Sequence, residues 1–310
     1  MSVLRAPRSA VLPLILAAAC WGLGTVVAKR AVAEISPIAL LTIQLGSSLL
    51  FLAVLMRVRG LPYRDPAASP VLGRLGLLNP GVAYALSLLG LVSISASLSV
   101  LLWALEPLLI LLLAVAFLHE RVGRTVVTLS AIAIAGLALI AAQPGPAALA
   151  GVALTVAGVV CCAVYTIVTR RWIATADSTL QVVLAQQAYA FGLAATVAGG
   201  LVVAGRLSWP DGLSGAAVAS AVGSGVLYYA FAYWFYLSGL RKVPASLAAA
   251  SFYLVPVFGV AGGLLFLGEG LSTGQWVGVG VVAAAVGAIL WRTRTGDASQ
   301  LNPAIVRSEA

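Results

Sequence analysis

Residues 95–124, SASLSVLLWALEPLLILLLAVAFLHERVGR, recur at residues 244–273 as PASLAAASFYLVPVFGVAGGLLFLGEGLST. An offset of 149 lays Ser97 on Ser246, Leu98 on Leu247, Pro107 on Pro256, Leu118 on Leu267 and Glu120 on Glu269. Each copy is an apolar run interrupted near its middle by proline, with a glutamate 13 residues later. A chain that carries such a segment twice is built from two related halves, and any fold proposed for it must divide the same way.

The solvent of those halves follows from the scarcity of charge. Charged residues make up 9% of the chain, hydrophobic residues 62%, and the mean hydropathy is +1.08. Soluble domains carry about 25% charged residues, so water is not what most of this surface meets. About 20 apolar residues in a helix cross a hydrocarbon core. Ten such runs fit, near 10–31, 36–56, 71–92, 94–118, 125–142, 148–169, 178–204, 215–239, 244–267 and 274–291. They show no period-two alternation, which a barrel would need, and in lipid an isolated span satisfies its own backbone only as a helix.

With the N-terminus in the cytoplasm, 15 of the 18 Lys and Arg residues fall on the cytoplasmic side; Lys29, Arg30 and Arg206 fall outside. This matches the positive-inside rule and reads the net charge of +9 as a topology signal. No soluble basic module exists to hold nucleic acid. Residues 5–20 imitate a signal peptide ending at Ala19-Cys20, but hydrophobicity continues to Ala28, so the stretch is read as the first span. Cys20, Cys161 and Cys162 lie inside spans and read as small packing residues.

The first helix has its own echo: Trp21 to Lys29 align with Cys162 to Arg170, which pairs Thr25 with Thr166. Tyr84 pairs with Tyr233 at the offset of 149. The expected fold is all-α and membrane-integral: ten helices as two five-helix repeats, residues 1–143 and 144–292, followed by a disordered cytoplasmic tail at 293–310. Five is odd, so the second repeat enters from the opposite side. Inverted repeats are a frequent plan of secondary transporters, with the substrate site near mid-membrane between the halves.

Glu106 is the only acidic residue well inside a span. Its position is costly in lipid, and its mate is Val255, so symmetry does not demand it. It is a candidate partner for a substrate amine or a coupling proton. Trp21, Tyr84, Trp103, Tyr165, Tyr229, Tyr233 and Phe252 are aromatic at mid-depth, away from the interfaces where belt aromatics belong, and are candidates to line a cavity. Tyr229, Tyr233 and Tyr236 share a helix face by spacing. Pro107 and Pro256 are expected to bend their helices and to serve as hinges. Gln44, Gln186, Gln187 and Asn79 are expected to bond between helices. Glu120 and Glu269 read as helix N-terminal caps, and His119 sits alone at the membrane edge. A phosphate-binding loop is missing, which excludes ATP-driven pumping by this chain alone. A paired nucleophile and base at one depth are also missing, so no enzymatic activity and no cofactor or metal is expected.

The tryptophan-glycine pair and lysine of helix one, the SASL opening of helix four, the proline-to-glutamate spacing and the second copy of each resemble the drug/metabolite transporter superfamily, and most closely its ten-helix EamA-type exporters. The resemblance covers residues 10–291. It implies a central cavity, efflux of small metabolites and a bacterial inner-membrane location. An arginine often found in helix two of that family is Gln44 here. The aromatic candidates and scarce charge are similar to exporters of aromatic and other amino acids. No Lys or Arg lies deep in a span, which argues against strongly anionic substrates. The expected function is therefore alternating-access export of an amino-acid-like small molecule by a monomer in the lipid bilayer. The alternative is export of lipophilic drugs or cations; an intramembrane enzyme or a structural or sensory protein fits the doubled, bent helices less well.

Overall fold

In the computed structural model, which describes residues 8–63, 69–110, 113, 128–129, 131–132, 135, 146–173, 176–207, 212–240 and 251–294, all regular structure among the described residues is helical. Its elements are α1 (Arg8–Val32), α2 (Pro37–Val58), α3 (Pro70–Gly76), α4 (Ala83–Leu91), α5 (Ala96–Trp103), α6 (Pro146–Trp172), α7 (Thr179–Val203), α8 (Gly215–Gly225), α9 (Ala232–Leu240), α10 (Val255–Leu267) and α11 (Thr273–Arg294). Among the described residues, six stretches are long and apolar enough to cross a membrane: Leu12–Val32, Pro37–Val58, Pro70–Leu91, Leu149–Thr169, Thr179–Val203 and Gly215–Gly239. The expected runs at 94–118 and 244–267 lie partly outside the described residues, and most of 125–142, His119, Glu120 and the tail from 295 lie outside them.

Local chemistry sets the helix ends. Pro37 and Pro70 open α2 and α3, where a missing N–H costs nothing. The hydroxyl oxygens of Ser95 and Ser214 accept from Leu98 N and Ala217 N at 3.0 Å and cap α5 and α8. Gly268 ends α10 in the left-handed region, with φ of 64°.

Two breaks shape the middle of the bundle. Between α3 and α4 the chain widens into a π-helical segment, Leu77–Val82, inside which Asn79 is extended (φ −144°, ψ 117°). Between α8 and α9 the segment Val226–Phe231 is also π-helical, and it stands 149 residues further on. A further pair of turns, at Ala104–Leu105 and Ser251–Leu254, changes the expectation for the prolines. Pro107 and Pro256 do not kink continuous helices. The chain turns at Ala104–Leu105 and resumes as helix at Glu106; likewise a 3₁₀ turn, Ser251–Leu254, precedes α10, which begins at Val255. Each proline therefore occupies the first turn of a resumed helix. Its ring would meet the carbonyl four residues back, at Trp103 or Phe252, so the helix tightens there: Ala104 N and Leu105 N bond to Leu101 O and Leu102 O at 3.1 Å.

Elements early in the chain pack on elements late in it. α1 lies against α8, α9 and α10, α2 against α7 and α8, α4 against α6, and α5 against α10. Glycine allows the closest approaches, as between membrane helices generally. A Cβ on Gly76 would overlap the carbonyl oxygen of Gln186, and one on Gly22 would lie 2.6 Å from Val255 O. The exterior is apolar: Val203 is 90% and Leu265 78% exposed, a surface suited to hydrocarbon.

Polar clamps close one end of the bundle. Glu269 does not cap the helix that follows it. Its Oε1 accepts from Ala96 N at 2.8 Å, and its Oε2 accepts from Ser97 N at 2.9 Å and Ser97 Oγ at 2.8 Å, so it caps α5. The separation of 173 residues made that partner invisible to local reasoning. Beside it Lys29 Nζ donates to Leu91 O and Ile94 O at 2.7 Å, and Arg30 donates to Phe266 O at 2.8 Å. Glu269→Ala leaves two helix N–H groups without their acceptor. It should cost about 2 kcal/mol and lower the melting temperature of the purified protein in detergent; an unchanged melting temperature would contradict the capping role.

Candidate functional site

The two breaks face one another across a central cavity with about 30 Å³ of free space. Seven of the eight side chains singled out in the sequence as substrate-binding line it: Trp21 on α1, Tyr84 on α4, Trp103 at the end of α5, Glu106 on the resumed helix, Tyr165 on α6, Tyr233 on α9 and Phe252 in the 3₁₀ turn. Tyr229 lies behind this wall, its ring 5.2 Å from that of Tyr84. The π-helical segment is the reason. Its extra residue per turn puts Tyr228, five residues before Tyr233, on the cavity face in place of Tyr229. Pro107 and Pro256 stand beside the cavity rather than in its wall.

Thr25, Asn79, Cys162, Thr166, Tyr236 and Val255 complete the lining. The repeat could have found most of them. At the offset of 149 the wall pairs Asn79 with Tyr228, Tyr84 with Tyr233, Trp103 with Phe252, and Glu106 with Val255; at the helix-one offset of 141 it pairs Trp21 with Cys162 and Thr25 with Thr166. Twelve of the fourteen lining residues thus fall into six pairs that the two sequence offsets exchange.

The walls touch. Trp21 meets Tyr233, Tyr236 and Phe252 at centroid distances of 5.6, 5.5 and 5.4 Å, and Tyr84 stacks on Trp103 at 5.4 Å. A planar ligand would enter by exchanging ring–ring contacts for ring–ligand contacts of the same kind.

Hydrogen bonding leaves few groups uncommitted. Tyr233 donates to Asn79 Oδ1 at 2.6 Å, so the extended residue of the first break holds a ring beside the second. Tyr165 donates to Gln186 Oε1 at 2.8 Å, whose Nε2 donates to Leu72 O at 3.1 Å. Gln187 accepts from Ser48 and donates to Tyr229 O. The glutamines and Asn79 bond between helices as their positions implied. Trp103 Nε1 donates to Ser87 Oγ at 3.3 Å. Glu106, 6% exposed, receives a long bond of 3.4 Å from Thr166 Oγ1. Trp21 Nε1 is buried with no partner among the described residues. The cavity therefore offers one carboxyl, one free indole N–H and a wall of rings. No lysine or arginine is among the described lining residues.

A helical bundle with broken helices around such a cavity, in an exterior fit only for lipid, is the architecture of a multi-pass membrane transporter. The comparisons agree. The EamA-like transporter family matches residues 8–142 and again 149–291, and the chain belongs to it. It is 25% identical over 274 residues to an uncharacterized transporter of Archaeoglobus fulgidus, an alignment covering 86% of this chain and 93% of that one. A solved crystal structure shares the fold with a TM-score of 0.64 at 20% identity, over 93% of this chain and 99% of the other.

The Tyr233–Asn79 bond should be separable from the fold. Tyr233→Phe leaves a buried acceptor and should destabilise by about 1–3 kcal/mol. Adding Asn79→Leu should recover part of that loss, because no acceptor then remains unpaired. Thermal unfolding of the two single variants and the double variant checks this; strictly additive losses would contradict it.

Proposed function

We propose that this protein exports small metabolites that carry an aromatic or apolar body and an amino group, aromatic amino acids foremost, by alternating access. The carrying observation is the pairing of the cavity wall: residues exchanged by the repeat line one space, and the single carboxyl breaks their symmetry. Ten spans arranged as two oppositely inserted halves would put that space on a pseudo-two-fold axis near mid-membrane, the plan common among secondary transporters. Both termini are cytoplasmic in this reading, in a bacterial plasma membrane, with the basic loops inside.

Each group then has a task. Glu106 receives the substrate ammonium. The rings of Trp103, Tyr84, Tyr228 and Phe252 take its side chain. Trp21 Nε1 donates to a carboxylate oxygen, and the turns beside Pro107 and Pro256 let the helices swing as gates. A second reading, export of lipophilic cations, is favoured by the absence of lysine and arginine from the described lining, since a cation needs no such partner and rings attract it.

Proteoliposomes loaded with labelled phenylalanine, tryptophan or tetraphenylphosphonium, with and without a pH gradient, separate the two readings. Amino-acid efflux above that of empty liposomes is expected. Glu106→Gln should lower it about tenfold or more, the size of a lost charge-assisted hydrogen bond, with the amount of protein in the membrane unchanged. Undiminished efflux would remove Glu106 from the site, and efflux of the phosphonium alone would favour the second reading.

A further inference from the structure

Against the central cavity lies a smaller one with about 20 Å³ of free space, room for one group the size of a water or an ammonium. Thr25, Tyr84 and Tyr228 line both and form the partition. Beyond the partition stand Gln44, Ser87, Ser99 and Tyr229. Gln44 is 1% exposed, and its Oε1 has no hydrogen-bond partner among the described residues. The other end of the amide is committed: Ser224 gives its proton to Ala221 O at 3.1 Å and accepts from Gln44 Nε2 at 2.7 Å. The carbonyl oxygen is thus left without a donor, a state that buried acceptors rarely keep.

The walls specify the donor further. The rings of Tyr84, Tyr228 and Tyr229 meet pairwise at 5.1, 5.2 and 5.3 Å. No charged side chain is among the described residues of this compartment. Ring faces attract a cation, and the amide oxygen asks for an N–H or O–H. A primary ammonium meets both demands. A quaternary ammonium meets only the first, and a water only the second.

From this we infer that Gln44 Oε1 and the three tyrosine rings form a second ammonium subsite, next to the main cavity, that reads the N–H groups of the substrate. The inference rests on the proposed transport of amines and amino acids and adds a rule to it: primary amines are preferred over their fully N-methylated counterparts. Glu106 attracts either by charge, so the discrimination belongs to Gln44.

The test is binding of phenethylamine and of phenethyltrimethylammonium to the full-length protein, measured by calorimetry in detergent. The wild type should bind the primary amine about tenfold more tightly, the contribution of one hydrogen bond from a charged donor. Gln44→Leu and Gln44→Met should bring the ratio to about one, with the loss falling on the primary amine, whereas Glu106→Gln should weaken both compounds alike. Equal binding of the two by the wild type, measured before any variant, would overturn the subsite. So would a ratio that survives in either Gln44 variant, which would leave the small cavity to water; both results leave the proposed transport standing. Failure of the wild type to bind either compound would overturn the transport reading and the subsite together.

Discussion

Hydrocarbon offers no hydrogen bonds, so every polar group that enters the membrane must find its partner inside the protein or face a cavity. That constraint explains where the chain puts its few polar side chains. Gln44 meets Ser224, Gln187 meets Ser48 and Tyr229 O, and Gln186 meets Tyr165 and Leu72 O, each across an interface between helices. Lys29 spends its ammonium on two carbonyls where the chain passes from α4 to α5. Of the four buried side-chain atoms without a partner among the described residues, Trp21 Nε1 and Gln44 Oε1 line the two inner cavities, while Ser36 Oγ and Thr169 Oγ1 lie outside both. Polar groups in lipid are costly, so the uncommitted ones carry information about what the protein holds.

Duplication supplies the frame and its departures supply the chemistry. Paired aromatic positions such as Tyr84 with Tyr233 and Trp103 with Phe252 build a wall of similar shape on both sides of the cavity. The unlike pairs give it direction. The counterpart of Glu106 is Val255, and that of Asn79 is Tyr228. A substrate with one charged end and one apolar body matches such a wall better than a symmetric one. The chain breaks that hold these residues are themselves in register, since Leu77–Val82 and Val226–Phe231 stand at the same offset as the helix restarts at Glu106 and Val255.

Much of this was legible in the order of residues. Long apolar runs mark helices, and a carboxyl at mid-span marks a cavity, because either feature elsewhere would be too costly. Central aromatics pointed to the wall for the same reason. What stayed hidden depends on geometry without a local signature. Val226–Phe231 contains no proline or glycine to announce a wide turn, so helical spacing chose Tyr229 where the π-helical turn presents Tyr228. The partner of Glu269 lies on another helix, and charge beside a helix start is a local signal only for the helix that follows. Pro107 and Pro256 read as kinks within continuous helices, whereas the helices are interrupted upstream of them, where the ring would strike a carbonyl.

The proposed transport requires two halves threaded through the bilayer in opposite directions around the shared cavity. Single cysteines at Tyr63, between α2 and α3, and at Arg206, between α7 and α8, both exposed, test that most directly when placed in a chain freed of its own three cysteines. Labelled with an impermeant maleimide in intact cells, the Arg206→Cys protein should react from outside and the Tyr63→Cys protein only after the membrane is opened. Reaction of both from the same side would contradict the opposed insertion.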